Sequence, residues 1–334
     1  MKRKLWRILY ELAVLALSVV LLWTLLFRLG YWLMPERTVY GSVWTSYLQE
    51  EEDSVDILFL GSSRVYCDVI PAVIYEETGA TSFVNAGPSQ TASLTYYYLR
   101  ESLRTQHPKY VFVEASAAYF GINEDHSKTN VSYMPGSFNR VLAGAACEEG
   151  ILELALYPLQ EFHYRIYDKA DDKPPEQDGT MLCGYTPLSK AVPQTERKFR
   201  IPNVEPGNEI YLYNLDYFRQ IAELCQENGI ACVFFVTPTM QDYTEAQSER
   251  LVSDLRALPC LAVEDWTDLI PEIGIDNETD WYDSLHFNQN GAVKFTRFLC
   301  GYLSDLGVEP TPGADEALWQ ARLAYLNLNG SNSR

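Results

Sequence analysis

An uncharged apolar run, Leu12 to Phe27, dominates the N-terminal part of the chain and follows a cluster of basic residues. A helix from Leu5 to Phe27 rises about 1.5 Å per residue, so it can cross a hydrocarbon core of roughly 30 Å with Glu11 near the headgroups. Because basic flanks stay on the cytoplasmic side, we expect a single-pass anchor in the cell membrane, with the N-terminus cytoplasmic and the rest of the chain outside the cytoplasm. A cleaved signal peptide is the alternative, but no small-x-small cleavage site follows the run.

The chain as a whole has the composition of an acidic folded protein. Of the 334 residues 47% are hydrophobic, and the formal net charge is -19. This apolar content suffices for a sizeable core and argues against global disorder. The charge argues against a nucleic-acid partner, because phosphates are bound by clustered Lys and Arg side chains.

We expect no metal site and no cofactor. The histidines lack the spacing of metal ligands, and no cysteine pair accompanies them. The seven cysteines are an odd number without paired spacing. Cys225 and Cys232 fall on apolar faces of a predicted helix and strand, so we expect buried free thiols there.

Apolar runs alternate with helical segments from Val55 onward. Val55 to Leu60 is nearly continuous and ends in Gly61, as expected of a parallel strand buried on both faces. Further strands are predicted at Ser82 to Asn85, Tyr110 to Glu114, Ile230 to Val236 and Leu261 to Val263. Helices are predicted at Thr91 to Thr105, Thr244 to Leu255 and Ala292 to Leu306, and another begins with Asn214 as its N-cap and closes at Asn228-Gly229. This alternation predicts a three-layer α/β/α fold around a parallel five-stranded sheet.

The pattern also predicts the domain boundaries. Residues 1-40 form the basic flank and the transmembrane anchor, and residues 41-309 form the α/β domain. Residues 126-205 interrupt the alternation, so we interpret them as a long insertion near the site. Residues 310-334 are predicted to form a surface helix and a polar tail. Glu50 to Asp53 is predicted to be a solvated charge run that separates the membrane-proximal segment from the folded domain.

Gly61-Ser62-Ser63-Arg64 comes directly after the first predicted strand. A glycine permits a sharp turn there, and a serine two places on lies at the mouth of the sheet, where a helix N-terminus supplies backbone N–H groups. Ser63 is therefore a candidate nucleophile. The alternative is a serine N-cap beside a turn glycine.

Asp283 and His286 precede the last predicted helix with a spacing of three. This spacing puts both side chains on one face of a turn, so the carboxylate can accept from one imidazole nitrogen and leave the other free. A general base requires this fixed tautomer and ring orientation. The alternative is an N-cap carboxylate with a nearby histidine.

Asn85 to Ser89 follows the second predicted strand. Gly87 offers a backbone N–H with no side chain in the way, as a developing oxyanion needs. Taken alone, the segment is a turn.

Together the three motifs resemble the SGNH (GDSL-like) hydrolase superfamily over residues 53-120 and 214-306. Gly61-Ser62-Ser63 resembles the first sequence block, with Ser63 in the nucleophile position. Gly87 resembles the second-block glycine, and Asp283-x-x-His286 resembles the fifth block. The resemblance implies the flavodoxin-like SGNH fold and a catalytic triad of Ser63, Asp283 and His286, with the N–H groups of Ser63 and Gly87 in the oxyanion hole.

The third block departs from the family pattern. The family strand ends in Gly-x-Asn-Asp, whose Asn donates to the oxyanion, whereas Tyr110 to Glu114 runs into Ala115-Ser116. Gly121-Ile122-Asn123-Glu124 has the right residue types but comes several residues late, so Ser116 and Asn123 both remain candidates for the third donor. Ser62 replaces the acidic residue usual in the first block. Because losing one oxyanion donor costs about 3 kcal/mol of transition-state stabilisation, low activity is compatible with this departure.

The anchor, the Gly-Ser-Ser opening and the Asp-x-x-His-x-Asn ending are most similar to extracytoplasmic proteins of cell-envelope acyl transfer. These include relatives of the D-alanyl-lipoteichoic acid transfer protein and of the alginate O-acetylation proteins. The resemblance implies a serine esterase or O-acyltransferase for acyl esters, above all acetyl esters, of carbohydrate, often beside a multispanning membrane acyltransferase. Hydrolysis and transfer stay open, because they differ only in the acceptor. A catalytically weak or inactive partner of such an acyltransferase is the alternative, and a metal-dependent hydrolase has little support.

Overall fold

The computed structural model of the protein describes residues 2-33, 36-148, 150, 177-195, 207-241 and 244-331. Much of the predicted insertion at 126-205, namely residues 149, 151-176 and 196-205, lies outside the described residues.

Helix α1 (Lys2–Leu33) contains the one segment of the described residues that is long and apolar enough to cross a membrane. This segment, Arg3–Leu26, has a mean hydropathy of 2.2, and none of it is buried against the rest of the protein. The helix is compatible with membrane association. A signal sequence meets the same criteria, so the helix alone does not separate an anchor from a cleaved leader.

Five parallel strands form a single sheet in the order β2-β1-β3-β4-β5. The strands are β1 (Ile57–Leu60), β2 (Ser82–Val84), β3 (Tyr110–Glu114), β4 (Ala231–Val236) and β5 (Ala262–Asp265). In register, Ile57 of β1 pairs with Ser82 on one side and with Tyr110 on the other. This order is that of the flavodoxin-like doubly wound fold, so the predicted parallel five-stranded sheet is confirmed.

Helices precede, connect and follow the strands. They are α2 (Trp44–Tyr47), α3 (Ser63–Tyr66), α4 (Pro71–Thr78), α5 (Ala92–Ser102), a 3-10 helix (Ala115–Tyr119), α6 (Glu124–Tyr133), α7 (Phe138–Ala146), α8 (Gly179–Leu182), α9 (Glu209–Glu227), α10 (Glu245–Arg256), α11 (Ile270–Ile273), α12 (Gln289–Asp305) and α13 (Glu316–Ser331).

The two faces of the sheet bury separate hydrophobic clusters, because successive strand side chains point to opposite faces. Leu58 and Leu60 belong to the cluster that contains α5 and α9. Ile57 and Phe59 belong to the cluster that contains α4 and α12. Helices therefore cover both faces and leave the carboxyl edge of the sheet for a site.

Helix α9 begins earlier than predicted. Its N-cap is Asn208, whose side chain accepts from the Tyr211 N–H, and the predicted cap Asn214 lies inside the helix. The amide of Asn214 instead donates to the carbonyls of Ala118 and Phe120, which follow β3. The prediction of Asn214 as a cap is wrong because the helix already begins at Glu209, and Asn208 caps it. The predicted end is confirmed, since Asn228 is the C-cap and Gly229 follows it with a positive φ of 69°.

The charge run that begins at Glu50 does not separate the membrane-proximal segment from the domain. Trp44 and Tyr47, which precede the run, are buried in the core with α5. The Glu50 side chain is only 9% exposed, and it pairs with Arg322 of α13 at 2.6 Å. The polypeptide therefore joins the α/β body ahead of this run, and the prediction of a solvated divider is wrong at Glu50.

The cysteines agree with the sequence-based prediction. All seven are free, and Cys225 and Cys232 are buried.

Candidate active site

Ser63 is the first residue of the short helix α3, two residues after Gly61 at the carboxyl end of β1. Gly61 has a φ of 148°, and a Cβ built there would lie 2.8 Å from Glu114 Cβ and 2.8 Å from Val65 Cγ2. Only glycine fits this turn without displacing β3 or α3. The turn presents the Ser63 hydroxyl at the mouth of the sheet.

His286 faces Ser63 from the loop between α11 and α12. Its Nε2 lies 2.8 Å from Ser63 Oγ, which is hydrogen-bonding distance. The imidazole side chain is 15% exposed. The structure therefore brings a hydroxyl and a ring nitrogen into direct contact although they come from distant parts of the chain.

Asp283 holds the other side of the imidazole. Both carboxylate oxygens lie 3.0 Å from His286 Nδ1, and Oδ1 also accepts from the backbone N–H groups of Leu285 and His286. With Nδ1–H donating to the carboxylate, Nε2 is left as the acceptor for the Ser63 hydroxyl. The arrangement has the connectivity that a general base requires.

Asp283 stays ionised in this setting. Partial burial acts to raise the pKa of its carboxyl group, but hydrogen bonds from the His286 side chain and from the Leu285 and His286 backbone outweigh it and leave the pKa below the usual value. An ionised carboxylate beside Nδ1 stabilises an imidazolium, so the site favours proton transfer from Ser63 to His286.

The loop that carries His286 is fixed on several sides. Trp281 and Phe287 pair as an antiparallel bridge, and both rings are fully buried with their centroids 4.5 Å apart. The Met240 N–H donates to the Ser284 carbonyl at 2.9 Å, which ties the loop to the segment after β4. The Phe287 N–H donates to Asp68 Oδ1 at 3.0 Å. Nothing in the sequence singled out Asp68, because its partner is more than two hundred residues away.

The two candidate backbone donors for an oxyanion, the N–H groups of Ser63 and Gly87, differ in their hydrogen bonds. No partner for the Ser63 N–H is found among the described residues, as expected at the first position of a helix. The Gly87 N–H donates to the Gly61 carbonyl at 3.2 Å. The structure therefore offers one backbone donor at the nucleophile and a second that is engaged nearby.

The two candidates for a third donor also have other contacts. Ser116 donates to the Glu114 carboxylate from its N–H at 3.1 Å and from its hydroxyl at 2.6 Å. Asn123 caps α6 by accepting from the His126 N–H at 3.1 Å, in an exposed segment. Neither contact aims the residue at Ser63, so the third donor stays open.

Residues 40-42 reach the same edge of the sheet, which the sequence did not indicate. Tyr40, Gly41 and Ser42 all have positive φ values, and the Ser42 N–H donates to the Ala86 carbonyl at 2.7 Å. A Cβ at Gly41 would lie 2.7 Å from the Ala86 oxygen and 2.7 Å from the ring of Tyr66. The segment thus packs directly against the Gly87 turn and against the helix that begins with Ser63.

Ser42 also fastens the Gly87 turn through its side chain. Its hydroxyl donates to Asn130 Oδ1 at 2.7 Å, and the Asn130 amide donates to the Pro88 carbonyl at 2.9 Å. A Cβ at Gly87 would lie 2.4 Å from Asn130 Oδ1 and 2.8 Å from Ser42 Oγ. The glycine is therefore required by close packing as well as by its position after β2.

Other features of the described residues lie away from this site. A cavity of 230 Å³ is lined by Ser54, Thr81 and Arg322 among others, at the amino edge of the sheet. In the described part of the chain, no group of three His, Cys, Asp or Glu side chains could hold a metal ion.

No protein-family profile matches the sequence, and no curated protein matches it. A crystal structure of a "putative acylhydrolase" from Bacteroides fragilis NCTC 9343 is similar to 79% of this chain over 94% of its own length. The identity is 11% and the TM-score is 0.39, so this likeness carries no argument about the chemistry of the site.

Proposed function

We propose that the protein is a membrane-anchored, extracytoplasmic SGNH-type serine esterase or O-acyltransferase, with Ser63, His286 and Asp283 as its catalytic triad. The observation that supports this proposal most directly is the continuous chain of contacts from Ser63 Oγ to His286 Nε2 at 2.8 Å and from His286 Nδ1 to Asp283 at 3.0 Å.

In the first half of the reaction, His286 takes the proton of Ser63 as Oγ attacks the acyl carbonyl carbon. The carbonyl electron pair moves onto oxygen, and the Ser63 N–H stabilises the resulting oxyanion. The Gly87 N–H adds a second donor when it turns from the Gly61 carbonyl. Collapse of the tetrahedral intermediate expels the alcohol, which takes the proton from His286, and leaves an ester on Ser63.

In the second half, His286 takes a proton from water or from a sugar hydroxyl, and that oxygen attacks the ester on Ser63. Collapse of the second tetrahedral intermediate breaks the bond between the acyl carbon and Ser63 Oγ, and Oγ takes the proton back from His286. Water gives an esterase, and a sugar hydroxyl gives a transferase. Both outcomes use the same three side chains, because they differ only in the acceptor that occupies the site. Acetyl esters of cell-envelope carbohydrate are the proposed substrate class, and this choice rests on the resemblance of the motifs.

A second candidate function is a catalytically weak or inactive SGNH-fold partner of a multispanning membrane acyltransferase. Two hydrogen bonds favour this second candidate. The Gly87 N–H already donates to the Gly61 carbonyl, and the Ser116 N–H already donates to the Glu114 carboxylate, so fewer donors are available for an oxyanion. Measured turnover of an ester by the isolated protein separates the two candidates.

A fluorophosphonate probe tests the nucleophile on the full-length chain in detergent micelles. The native protein is expected to be labelled, and Ser63→Ala is expected to abolish labelling because the probe bonds to the activated Oγ. Ser62→Ala is a matched control, since Ser62 is buried next to Ser63 and its hydroxyl has no hydrogen-bond partner among the described residues. Labelling that persists in Ser63→Ala would exclude Ser63 as the nucleophile.

Ester hydrolysis by the same proteins tests the rest of the triad. Asp283→Asn is expected to lower kcat by about 10⁴-fold, because the imidazole loses the group that fixes its tautomer and stabilises its charge. A loss of less than tenfold would argue against a triad that includes Asp283.

A further inference from the structure

Asp68 connects the two halves of the candidate active site. It lies five residues after Ser63 in the same segment of chain and is completely buried. Its Oδ1 accepts the Phe287 N–H at 3.0 Å, and Phe287 directly follows His286. The carboxyl group thus joins the segment that carries the nucleophile to the loop that carries the imidazole.

The main chain around Asp68 is held by a separate contact. Thr296 Oγ1 accepts the Ile70 N–H at 3.1 Å and donates to the Asp68 carbonyl at 3.3 Å. Thr296 belongs to α12, and neither of these hydrogen bonds involves the loop that carries His286. The Asp68 side chain therefore makes a contact with the His286 loop that Thr296 does not duplicate.

The surroundings of Asp68 favour an uncharged carboxyl group. Burial raises the pKa of Asp68 above its ordinary value, and the negative charges of Asp283 and Glu114 act in the same direction. The Phe287 N–H and the charge of Arg64 oppose this rise. Because Oδ1 remains an acceptor in the neutral acid, the contact with Phe287 does not require a charge on Asp68.

We propose that Asp68 is a positioning residue, which holds the His286 imidazole at hydrogen-bonding distance from the Ser63 hydroxyl through the Phe287 backbone. The proposal rests on the proposed function, since it assumes that His286 is the general base. A base must lie within about 2.6 to 3.2 Å of the proton it removes, and a displacement of about 1 Å can cost on the order of 10²-fold in rate. Without an acceptor for the Phe287 N–H, the loop that carries His286 would lose its hydrogen bond to the segment that carries Ser63.

Two substitutions distinguish the role of Asp68 as a hydrogen-bond acceptor from a role of its acidic group. Asp68→Asn keeps a carbonyl oxygen at Oδ1, and Asp68→Leu removes the acceptor with a side chain of the same branched shape. For ester hydrolysis by the full-length chain in micelles, we expect Asp68→Leu to lower kcat on the order of 10²-fold with little change in KM. Asp68→Asn is expected to keep kcat within about threefold of native, since the effective acceptor is retained. Fluorophosphonate labelling rates are expected to follow kcat in both variants.

Thr296→Val is the matched control. It removes the contacts with Ile70 and with the Asp68 carbonyl, so it is expected to lower the thermal midpoint while kcat stays native. If Asp68→Leu does not fold, Asp68→Ser replaces it as the acceptor-free variant, because the serine side chain is one atom shorter and does not reach the Phe287 N–H.

The proposal is overturned if Asp68→Asn loses as much kcat as the acceptor-free variant, or if a folded acceptor-free variant keeps native kcat. Failure of the proposed function is distinguishable, because the native protein would then react with the probe no faster than Ser63→Ala.

Discussion

His286 Nε2 lies 2.8 Å from Ser63 Oγ across a sequence separation of 223 residues. The turn after β1 supplies the hydroxyl, and the loop before α12 supplies the ring. The parallel sheet places these two segments side by side, because both lie where the carboxyl ends of the strands meet at one edge. The stability of that edge therefore decides whether the hydroxyl and the imidazole remain in contact.

The pH dependence of stability should carry the signature of Asp283. An aspartate whose pKa is lower in the folded than in the unfolded protein adds stability that is complete above the unfolded value, about 3.9, and is lost as the pH falls through the lower folded pKa. The free energy of unfolding of native protein minus that of Asp283→Asn is therefore expected to be constant above about pH 5 and to shrink below pH 4.

Denaturant titrations between pH 3 and pH 7 measure this difference. Asp305→Asn is the control, since Asp305 is exposed and none of the hydrogen bonds or ion pairs of the described residues involves its side chain. A difference for Asp283→Asn that grows as the pH falls would contradict the assigned direction of the pKa shift.

Gly87→Ala should disturb the turn after β2. The added Cβ would lie 2.4 Å from Asn130 Oδ1 and 2.8 Å from Ser42 Oγ, so the turn or the segment that contains Ser42 must move. Such overpacking costs about 1 to 3 kcal/mol of stability. Probe labelling of Ser63 is also expected to slow, because the Gly87 N–H leaves its place beside the nucleophile turn.

Thermal midpoints and labelling rates test the Gly87 prediction. Gly136→Ala is the matched control, since a Cβ at Gly136 meets nothing within 4 Å. Equal behaviour of the two variants would mean that the close contacts of Gly87 relax without consequence.

The buried ion pair between Glu50 and Arg322 should make the C-terminal helix important for stability. Arg322 also donates to the Thr180 carbonyl and lies 4.5 Å from the ring centroid of Trp319. Burial raises the pKa of Glu50, and Arg322 opposes that rise, so Arg322→Met leaves a buried carboxylate without its counter-charge. The expected loss is about 3 to 5 kcal/mol.

A double-mutant cycle with Glu50→Gln checks this prediction. The double variant is expected to lose less free energy of unfolding than the sum of the two single-variant losses, because the uncompensated charge is removed. Strict additivity would show that the two side chains do not interact in solution.

The strand pattern was predictable because strands buried on both faces have nearly continuous apolar runs. Four of the five predicted strands overlap closely with β1 to β4. The fifth was placed at Leu261 to Val263, whereas β5 covers Ala262–Asp265. Its last two residues are charged and were therefore excluded, but Tyr302 donates to Glu264 and Ser248 donates to Asp265, so both charges are accommodated.

The contacts around the candidate site were less predictable than its three central side chains. Short spacing indicates that Asp283 and His286 share a turn, and a glycine after a strand indicates an exposed serine. Ser42, Asp68 and Asn130 carry no such local signal, because each contributes through partners on distant segments. Only a contact between elements, which one sequence does not encode as a pattern, identifies them.

The segment from Tyr40 to Ser42 packs against the carboxyl edge of the sheet, and this packing limits where the chemistry can occur. Tyr40 follows the end of α1 at Leu33 by seven residue steps, which span at most about 25 Å when fully extended. If α1 is embedded in a bilayer, Ser63 can explore only a thin layer of solvent next to the lipid. Encounters with molecules held in the same bilayer then take place at a high effective concentration, whereas dissolved molecules must diffuse into that layer.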